Sequence, residues 1–153
     1  MELTSGENEN LAQLFGDGFL ANLRAALTLD WPYSERARKT GGVAAAVLVL
    51  IGMREGVPSI LITRRTESVE THKGQMAFPG GVSDPEDQAD LMRTALRETE
   101  EEVGIPRRSV EVWGQLPPLY TVTGFWVTPI VGLLNQPVDQ VGVSLNPDRK
   151  SVV

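Results

Sequence analysis

The segment from Ala89 to Val103 has the clearest periodicity in the chain and therefore constrains the fold most. At 3.6 residues per turn, its packing positions fall on one side of a helix. These positions are Met92, Ala95, Leu96, Thr99 and Val103. Gly104 suits a left-handed cap and Pro106 cannot continue a helix interior, so we expect the helix to end at Val103. One face of this helix must pack against another layer of structure.

A second side of the same helix carries Glu98, Glu101 and Glu102. Like charges at these spacings repel one another, and a bound cation would remove the repulsion. Hard cations such as Mg²⁺ prefer oxygen ligands, so we predict a Mg²⁺ site here, with Mn²⁺ as a substitute. A solvated acidic face is the alternative interpretation, and the spacing alone does not exclude it.

Short aliphatic and β-branched runs predict a sheet against which the helix packs. Ala44–Ile51 and Pro58–Thr63 flank a polar loop and are predicted to pair as a hairpin. Strands mixed with two helices indicate an α/β or α+β sandwich. A short amphipathic helix is expected at Phe19–Leu29. Further strands are expected at Gln75–Phe78, Val110–Gly114 and Val127–Leu134. Pro79, Gly80 and Gly81 are expected to stop the first of these strands.

Composition limits the class of protein. The 153 residues, 41% hydrophobic and 22% charged, fit one globular domain over 1–153, with an N-terminal extension of about residues 1–40. A net charge of −6 argues against broad nucleic-acid binding. The longest apolar run, Val43–Met53, is only about half the roughly 20 residues that span a membrane. The lack of cysteine permits a reducing compartment, and we expect a cytoplasmic protein.

The acidic helix resembles the second half of the Nudix box in order and spacing, except at Thr99. The matching residues are Arg97, Glu98, Glu101, Glu102, Gly104 and Ile105. The first half of the box resembles Gly81 followed after five residues by Asp87, although nine residues rather than seven then precede Arg97. The resemblance implies a Nudix-type α/β/α sandwich with a mixed β-sheet and a catalytic strand-loop-helix. It also implies that an early acid supports the arginine, with Asp87 as our candidate and Glu86 and Asp90 as competitors.

The resemblance assigns roles to four residues of the helix. Glu98, Glu101 and Glu102 are expected to ligate the metal and, with Arg97, to form the catalytic set. One glutamate could instead act as general base, and coupled carboxylates leave that choice open. Arg97 could clamp a phosphate, but a structural salt bridge to the preceding loop is the interpretation that we favour.

A narrower resemblance, to Nudix coenzyme A pyrophosphatases, covers the stretch from Leu61 to Leu134. Hydrolysis of coenzyme A to adenosine 3',5'-bisphosphate and 4'-phosphopantetheine is the activity that it implies. Glu70, where the signature has an arginine, and Thr66, where it has serine or alanine, depart from it. The residues that carry it are Leu61, Ile62, Thr63, Arg65, Gly74, Phe78, Pro79, Gly80 and Gly81, followed by Thr121, Thr123, Gly124, Phe125, Val127, Thr128, Pro129 and Val131.

Substrate contacts are expected from cations near the box and from its glycine. Arg64 and Arg65, together with His72 and Lys73, could meet the 3'-phosphate, although exposed basic residues are common. Gly81 could let the backbone approach substrate or metal, or it could serve only a turn.

Other activities stay open at this point. A Nudix hydrolase of ADP-ribose or of another nucleoside diphosphate derivative would use the same box. A non-catalytic Nudix-like nucleotide-binding module is the alternative from another class, and the three intact glutamates count against it. The resemblance makes a homodimer an expectation. It also predicts a truncated or divergent C-terminus, because relatives of this kind continue into a strand and a helix after the position of Pro147.

Overall fold

The computed structural model describes residues 19–27, 41–65, 74–145 and 149–152. The predictions for the polar N-terminal stretch, for His72 and Lys73 and for the departures at Thr66 and Glu70 lie outside these residues. The helices and strands, in chain order, are α1 (Phe19–Ala26), β1 (Val43–Arg54), β2 (Val57–Ile60), β3 (Thr63–Arg65), β4 (Met76–Ala77), β5 (Gly80–Val82), α2 (Leu91–Val103), β6 (Val110–Gln115), β7 (Leu119–Tyr120), β8 (Phe125–Leu134) and β9 (Arg149–Val152).

Strand β1 lies at the centre of a mixed sheet. It pairs antiparallel with β2 at one end and with β5 at the other, and it pairs parallel with β8 along its opposite edge. Strands β6 and β7 continue the sheet beyond β8. A separate three-stranded sheet has the order β4-β3-β9. The long aliphatic run of β1 therefore lies between neighbours, where both of its faces can be covered.

Alternate residues of β1 belong to two different cores. Ala46, Leu48 and Leu50 are buried in the cluster that includes Ala95 and Val103 of α2. The intervening residues Val49, Ile51 and Met53 pack in a second cluster with Leu23 and Leu27, from α1 and the residue after it. Because successive side chains of a strand point to opposite faces, one helix covers each face. The expected α/β/α sandwich with a mixed sheet is confirmed.

Most predicted elements are found, with shifted ends. The β1–β2 hairpin is confirmed, and Gly104 caps α2 in the left-handed conformation with φ 73°. Helix α2 begins at Leu91 rather than Ala89 because Asp90 is its N-cap.

Strand β4 ends before Pro79, as predicted, but the strand that follows it was not predicted. Gly80–Val82 forms β5 and pairs with Ala45–Val47 of β1. Glycine is a weak strand former, so propensity gave no signal for this element. Within the described part of the chain, no helix is both long and apolar enough to cross a membrane.

Candidate active site

A tight turn connects β5 to α2. Asp84 starts a short 3-10 turn through a capping box, in which its side chain accepts from the Glu86 backbone and its own N–H donates to Asp87 Oδ2. Gln88 and Ala89 follow in the left-handed conformation, with φ 55° and 61°. Asp90 then caps α2 by accepting from the Met92 N–H at 3.0 Å. Two consecutive left-handed residues thus lie in the segment between Asp87 and Arg97, which is two residues longer than the Nudix pattern.

Asp87 and Arg97 form a bidentate ion pair beneath this turn. Arg97 Nε donates to Asp87 Oδ1, and Arg97 Nη2 donates to Asp87 Oδ2, each at 3.0 Å. Thr94 Oγ1 donates to Asp87 Oδ2 at 2.8 Å. Asp87 is only 3% exposed. The contact predicted for Asp87 is confirmed, whereas its competitor Asp90 serves as a cap and Glu86 is exposed.

The pKa values of this pair move in the directions that favour its charged form. Hydrogen bonding to Arg97 lowers the pKa of Asp87 well below its ordinary range, against the opposing effect of burial. Hydrogen bonding to Asp87 raises the pKa of Arg97, and Glu98 and Glu101 raise it further. Both groups are therefore charged at every pH at which the protein would be assayed.

Arg97 also links the turn to the acidic side of α2. Its Nη1 donates to Glu98 Oε1 at 2.9 Å and lies 3.3 Å from Glu101 Oε1. Its Nη2 donates to the Val82 carbonyl at 3.2 Å, so one guanidinium joins β5, the turn and two glutamates. Removing Arg97 would break all of these contacts and leave Asp87 as a buried carboxylate without its counter-charge.

The two glycines of β5 allow α2 to lie against the strand edge. A β-carbon at Gly81 would be only 2.5 Å from Glu98 Cδ, closer than real β-carbons approach other atoms. The Gly80 N–H donates to Glu102 Oε2 at 3.3 Å. Gly81 therefore makes room for a glutamate in this structure. Its predicted contact with substrate stays a prediction.

The chemistry of the donor set fits a hard divalent cation. Three carboxylates, of Asp87, Glu98 and Glu101, contact a single guanidinium, and Glu102 accepts from the Gly80 N–H nearby, which leaves a surplus of negative charge. Glu101 is 57% exposed, so the surplus faces solvent. Within the ranges described, no three acidic or histidine side chains already converge on one point. Binding a cation through Glu98, Glu101 and Glu102 therefore requires these side chains to turn from their present protein partners.

The predicted substrate-binding arginines lie in another part of the molecule. Arg64 and Arg65 belong to β3, in the small sheet formed with β4 and β9. Arg64 is exposed and Arg65 is half-buried. Their contact with substrate stays a prediction.

Three groups of the site were not predicted from the sequence. These are the Thr94 hydroxyl, the Val82 carbonyl and the Gly80 N–H. Thr94 lies one helical turn before Arg97, so its position near the arginine could have been noticed from spacing. The two backbone groups depend on β5, which carries no such signal.

Comparison with known proteins identifies the family of the chain. Residues 41–148 match the NUDIX domain family. An uncharacterized Nudix hydrolase, NudL, of Photorhabdus laumondii is 54% identical over 90 residues, which cover 59% of this chain and 47% of that protein. NudL of Yersinia enterocolitica is 56% identical over 90 residues, or 59% of this chain and 45% of that protein. The matched part thus spans about half the length of these curated relatives.

Solved structures show the same fold. An Ap4A hydrolase of C. elegans aligns with a TM-score of 0.58 at 25% identity, covering 71% of this chain and 76% of that one. The NUDIX domain of Shewanella oneidensis NrtR, complexed with ADP ribose, aligns with a TM-score of 0.54 at 18% identity, covering 90% and 80%. The family match extends over well more than half of the chain and includes the whole β5–α2 site, and the chain therefore belongs to the Nudix family.

Proposed function

We propose that this chain is a metal-dependent hydrolase of the pyrophosphate bond of coenzyme A or its derivatives, with Mg²⁺ or Mn²⁺ as cofactor. The products are adenosine 3',5'-bisphosphate and 4'-phosphopantetheine. The observation that carries the proposal is the set of three glutamates on α2, held against the glycine strand by the Asp87–Arg97 pair.

The protein groups divide the work between positioning and charge. Asp87 fixes the guanidinium of Arg97 at two points, and Arg97 in turn fixes Glu98. Glu101 and Glu102 supply further carboxylate oxygens on the same side of α2. A divalent cation bound by the three glutamates would neutralise phosphate oxygens and lower the pKa of an attacking water. A glutamate oxygen that does not ligate the cation would accept the proton of that water.

Coenzyme A is favoured over other pyrophosphates by the segment that precedes the box. The coenzyme A pyrophosphatase signature includes this segment. Within the signature, Thr63 is fully buried and its hydroxyl donates to the Ala77 carbonyl at 3.1 Å. This bond ties β3 to β4 immediately before Pro79 and the glycines of β5. Thr63, a residue of the signature, therefore helps to fix the position of β5.

Another Nudix activity is the competing proposal. The structural relatives include a hydrolase of Ap4A and a domain bound to ADP ribose, and the box chemistry is common to such substrates. The substrate preference separates these activities from the one that we propose.

The test is a panel of coenzyme A, ADP-ribose and Ap4A at equal concentration, each with Mg²⁺, with Mn²⁺ and with excess EDTA. We expect metal-dependent release of adenosine 3',5'-bisphosphate, identified by chromatography and mass, and full loss of activity in EDTA. A higher kcat/KM for ADP-ribose or Ap4A would refute coenzyme A as the preferred substrate but would still support metal-dependent pyrophosphate hydrolysis. Metal-independent cleavage, or no cleavage of any of the three substrates, would overturn the proposal.

A further inference from the structure

The face of the central sheet that packs against α1 is covered over only part of its length. On this face, Val49, Ile51 and Met53 from the second half of β1 pack in the cluster that includes Leu27. At the other end of the same face, three apolar side chains are exposed. These are Val43 (47% exposed), Val82 (45%) and Leu119 (63%), which we call the apolar patch.

Strand register places the three side chains of the patch on one face. Val43 and Ala45 alternate with Ala46 and so point away from α2. Val82 is the partner of Ala45 across the β1–β5 pair. Leu119 is the partner of Val127, which is in turn the partner of Ala45 across the β1–β8 pair. The patch therefore extends across β5, β1, β8 and β7, about 14 Å at ordinary strand spacing.

The patch is continuous with the candidate active site through β5. The Val82 carbonyl accepts from Arg97, while the neighbouring Gly81 lies against Glu98. The glutamates thus lie along the outer edge of the strand whose last residue, Val82, contributes to the patch. A substrate with its pyrophosphate at that edge can extend one of its two arms over the α1 face.

The chemistry of the patch selects between the two arms of coenzyme A. The segments that form this end of the sheet, 41–47, 80–83 and 119–128, contain no lysine, arginine, aspartate or glutamate. The adenosine arm carries a charged 3'-phosphate, which would be costly to desolvate without a cation. The pantetheine arm is uncharged, and its dimethyl and methylene groups gain free energy on apolar surface.

We propose that the apolar patch of Val43, Val82 and Leu119 binds the pantetheine arm of the substrate. This inference rests on the proposed function for the identity of the ligand. It assigns the adenosine 3',5'-bisphosphate arm to a different surface. Leu119 and Val43 thereby act as specificity-determining residues, and neither contacts the reacting phosphorus.

The experiment measures binding of 4'-phosphopantetheine and of AMP by calorimetry, with the full chain and without metal. The test variant is Val43→Thr/Leu119→Thr, which places a residue of high strand propensity at both positions while adding hydroxyls to the patch. The matched control is Tyr120→Thr, because Tyr120 is 51% exposed on the same strand but points to the opposite face. Val43→Thr alone, an isosteric change, serves if the double variant shows altered circular dichroism.

We expect the double variant to bind 4'-phosphopantetheine about tenfold more weakly and AMP as the wild type does, with Tyr120→Thr unchanged for the former. Equal weakening by Tyr120→Thr, equal weakening for AMP, or no binding of 4'-phosphopantetheine to the wild type would overturn the inference. The readout requires no turnover. Patch-dependent binding without cleavage of coenzyme A would refute the proposed function alone, whereas cleavage without patch-dependent binding would refute this inference alone.

Discussion

Two regions of the molecule carry the residues that the sequence singled out, and they differ in how firmly their side chains are held. In the unit from Gly80 to Val103, a single guanidinium bonds to Asp87, Glu98 and the Val82 carbonyl. In the small sheet of β3, β4 and β9, Arg64 is exposed. In the first region several bonds hold Asp87 and Arg97 in one arrangement, whereas the exposed side chain of Arg64 keeps more rotamer freedom.

The difference also shows what a short stretch of sequence can determine. The hydrogen bonds that Arg97 and Glu102 make in the first region all join residues within 24 consecutive positions, from Gly80 to Val103. The place of Arg64 relative to the glutamates depends on β3, β4 and β9, which are far apart in the chain. Mutations in the two regions should therefore have effects of different kinds and sizes.

The largest effect is expected from Glu102→Gln. This change removes one carboxylate charge from the predicted metal site, and we expect kcat to fall by orders of magnitude while the fold is retained. The matched control is Glu100→Gln on the same helix, because Glu100 instead pairs with Arg107 at 2.8 Å. Initial rates with Mg²⁺ and circular dichroism would check both. Activity near that of the wild type in Glu102→Gln would remove this residue from the site.

The next largest effect is expected on stability, from Asp87→Asn. Breaking a buried ion pair by neutralising one partner costs about 3–5 kcal/mol, because Arg97 is left without its main counter-charge. Urea unfolding at pH 7 measures the loss. Asp139→Asn, in the turn at Val138–Gln140, is a control for which a change within about 0.5 kcal/mol is expected. A small effect at Asp87 would mean that the pair does not organise the site.

The same ion pair predicts a pH dependence. The pKa of Asp87 is lowered in the folded protein, so its stabilising contribution is present above the unfolded pKa of about 4 and is lost as the pH falls below it. The stability difference between wild type and Asp87→Asn should therefore be constant from pH 5 to 8 and should shrink toward pH 3. Unfolding curves at pH 7, 5 and 3 measure it, and a difference that grows on acidification would contradict the assignment.

The features of the site that depend on neighbouring residues were predictable from the sequence, and those that depend on strand pairing were not. The end of α2 at Gly104, its acidic side and the pairing of Asp87 with Arg97 were all predictable, because caps, periodicity and box spacing are local. Strand β5 was missed because two glycines carry no strand propensity, and only the pairing with β1 makes them a strand. The Gly80 and Val82 backbone contacts were missed for the same reason.

A smaller effect is expected from the second region. We predict that Arg64→Ala and Arg65→Ala each raise KM for coenzyme A about threefold to tenfold and leave kcat nearly unchanged, because a flexible cation contributes to binding more than to the transition state. The same variants should leave KM for dephospho-coenzyme A unaltered, since it lacks the 3'-phosphate. A fall in kcat without a change in KM would assign these arginines to the same role as the glutamates of α2 and contradict a separate binding role for the small sheet.

The smallest effect is expected on stability, from a substitution at Ala89 in the turn before α2. Ala89 has φ 61°, a left-handed conformation that costs an L-residue about 1–2 kcal/mol and costs glycine little. Glycine also loses more entropy on folding, so Ala89→Gly should stabilise the protein by a net of about 0.5–1 kcal/mol. Ala25→Gly, in the exposed part of α1, should instead destabilise it by about 0.5–1 kcal/mol. Thermal unfolding of both variants tests whether the two extra residues of the box are held in the left-handed turn. If glycine destabilised the protein at both positions, Ala89 would have a right-handed backbone conformation. The segment between Asp87 and the N-cap of α2 would then not contain the left-handed turn.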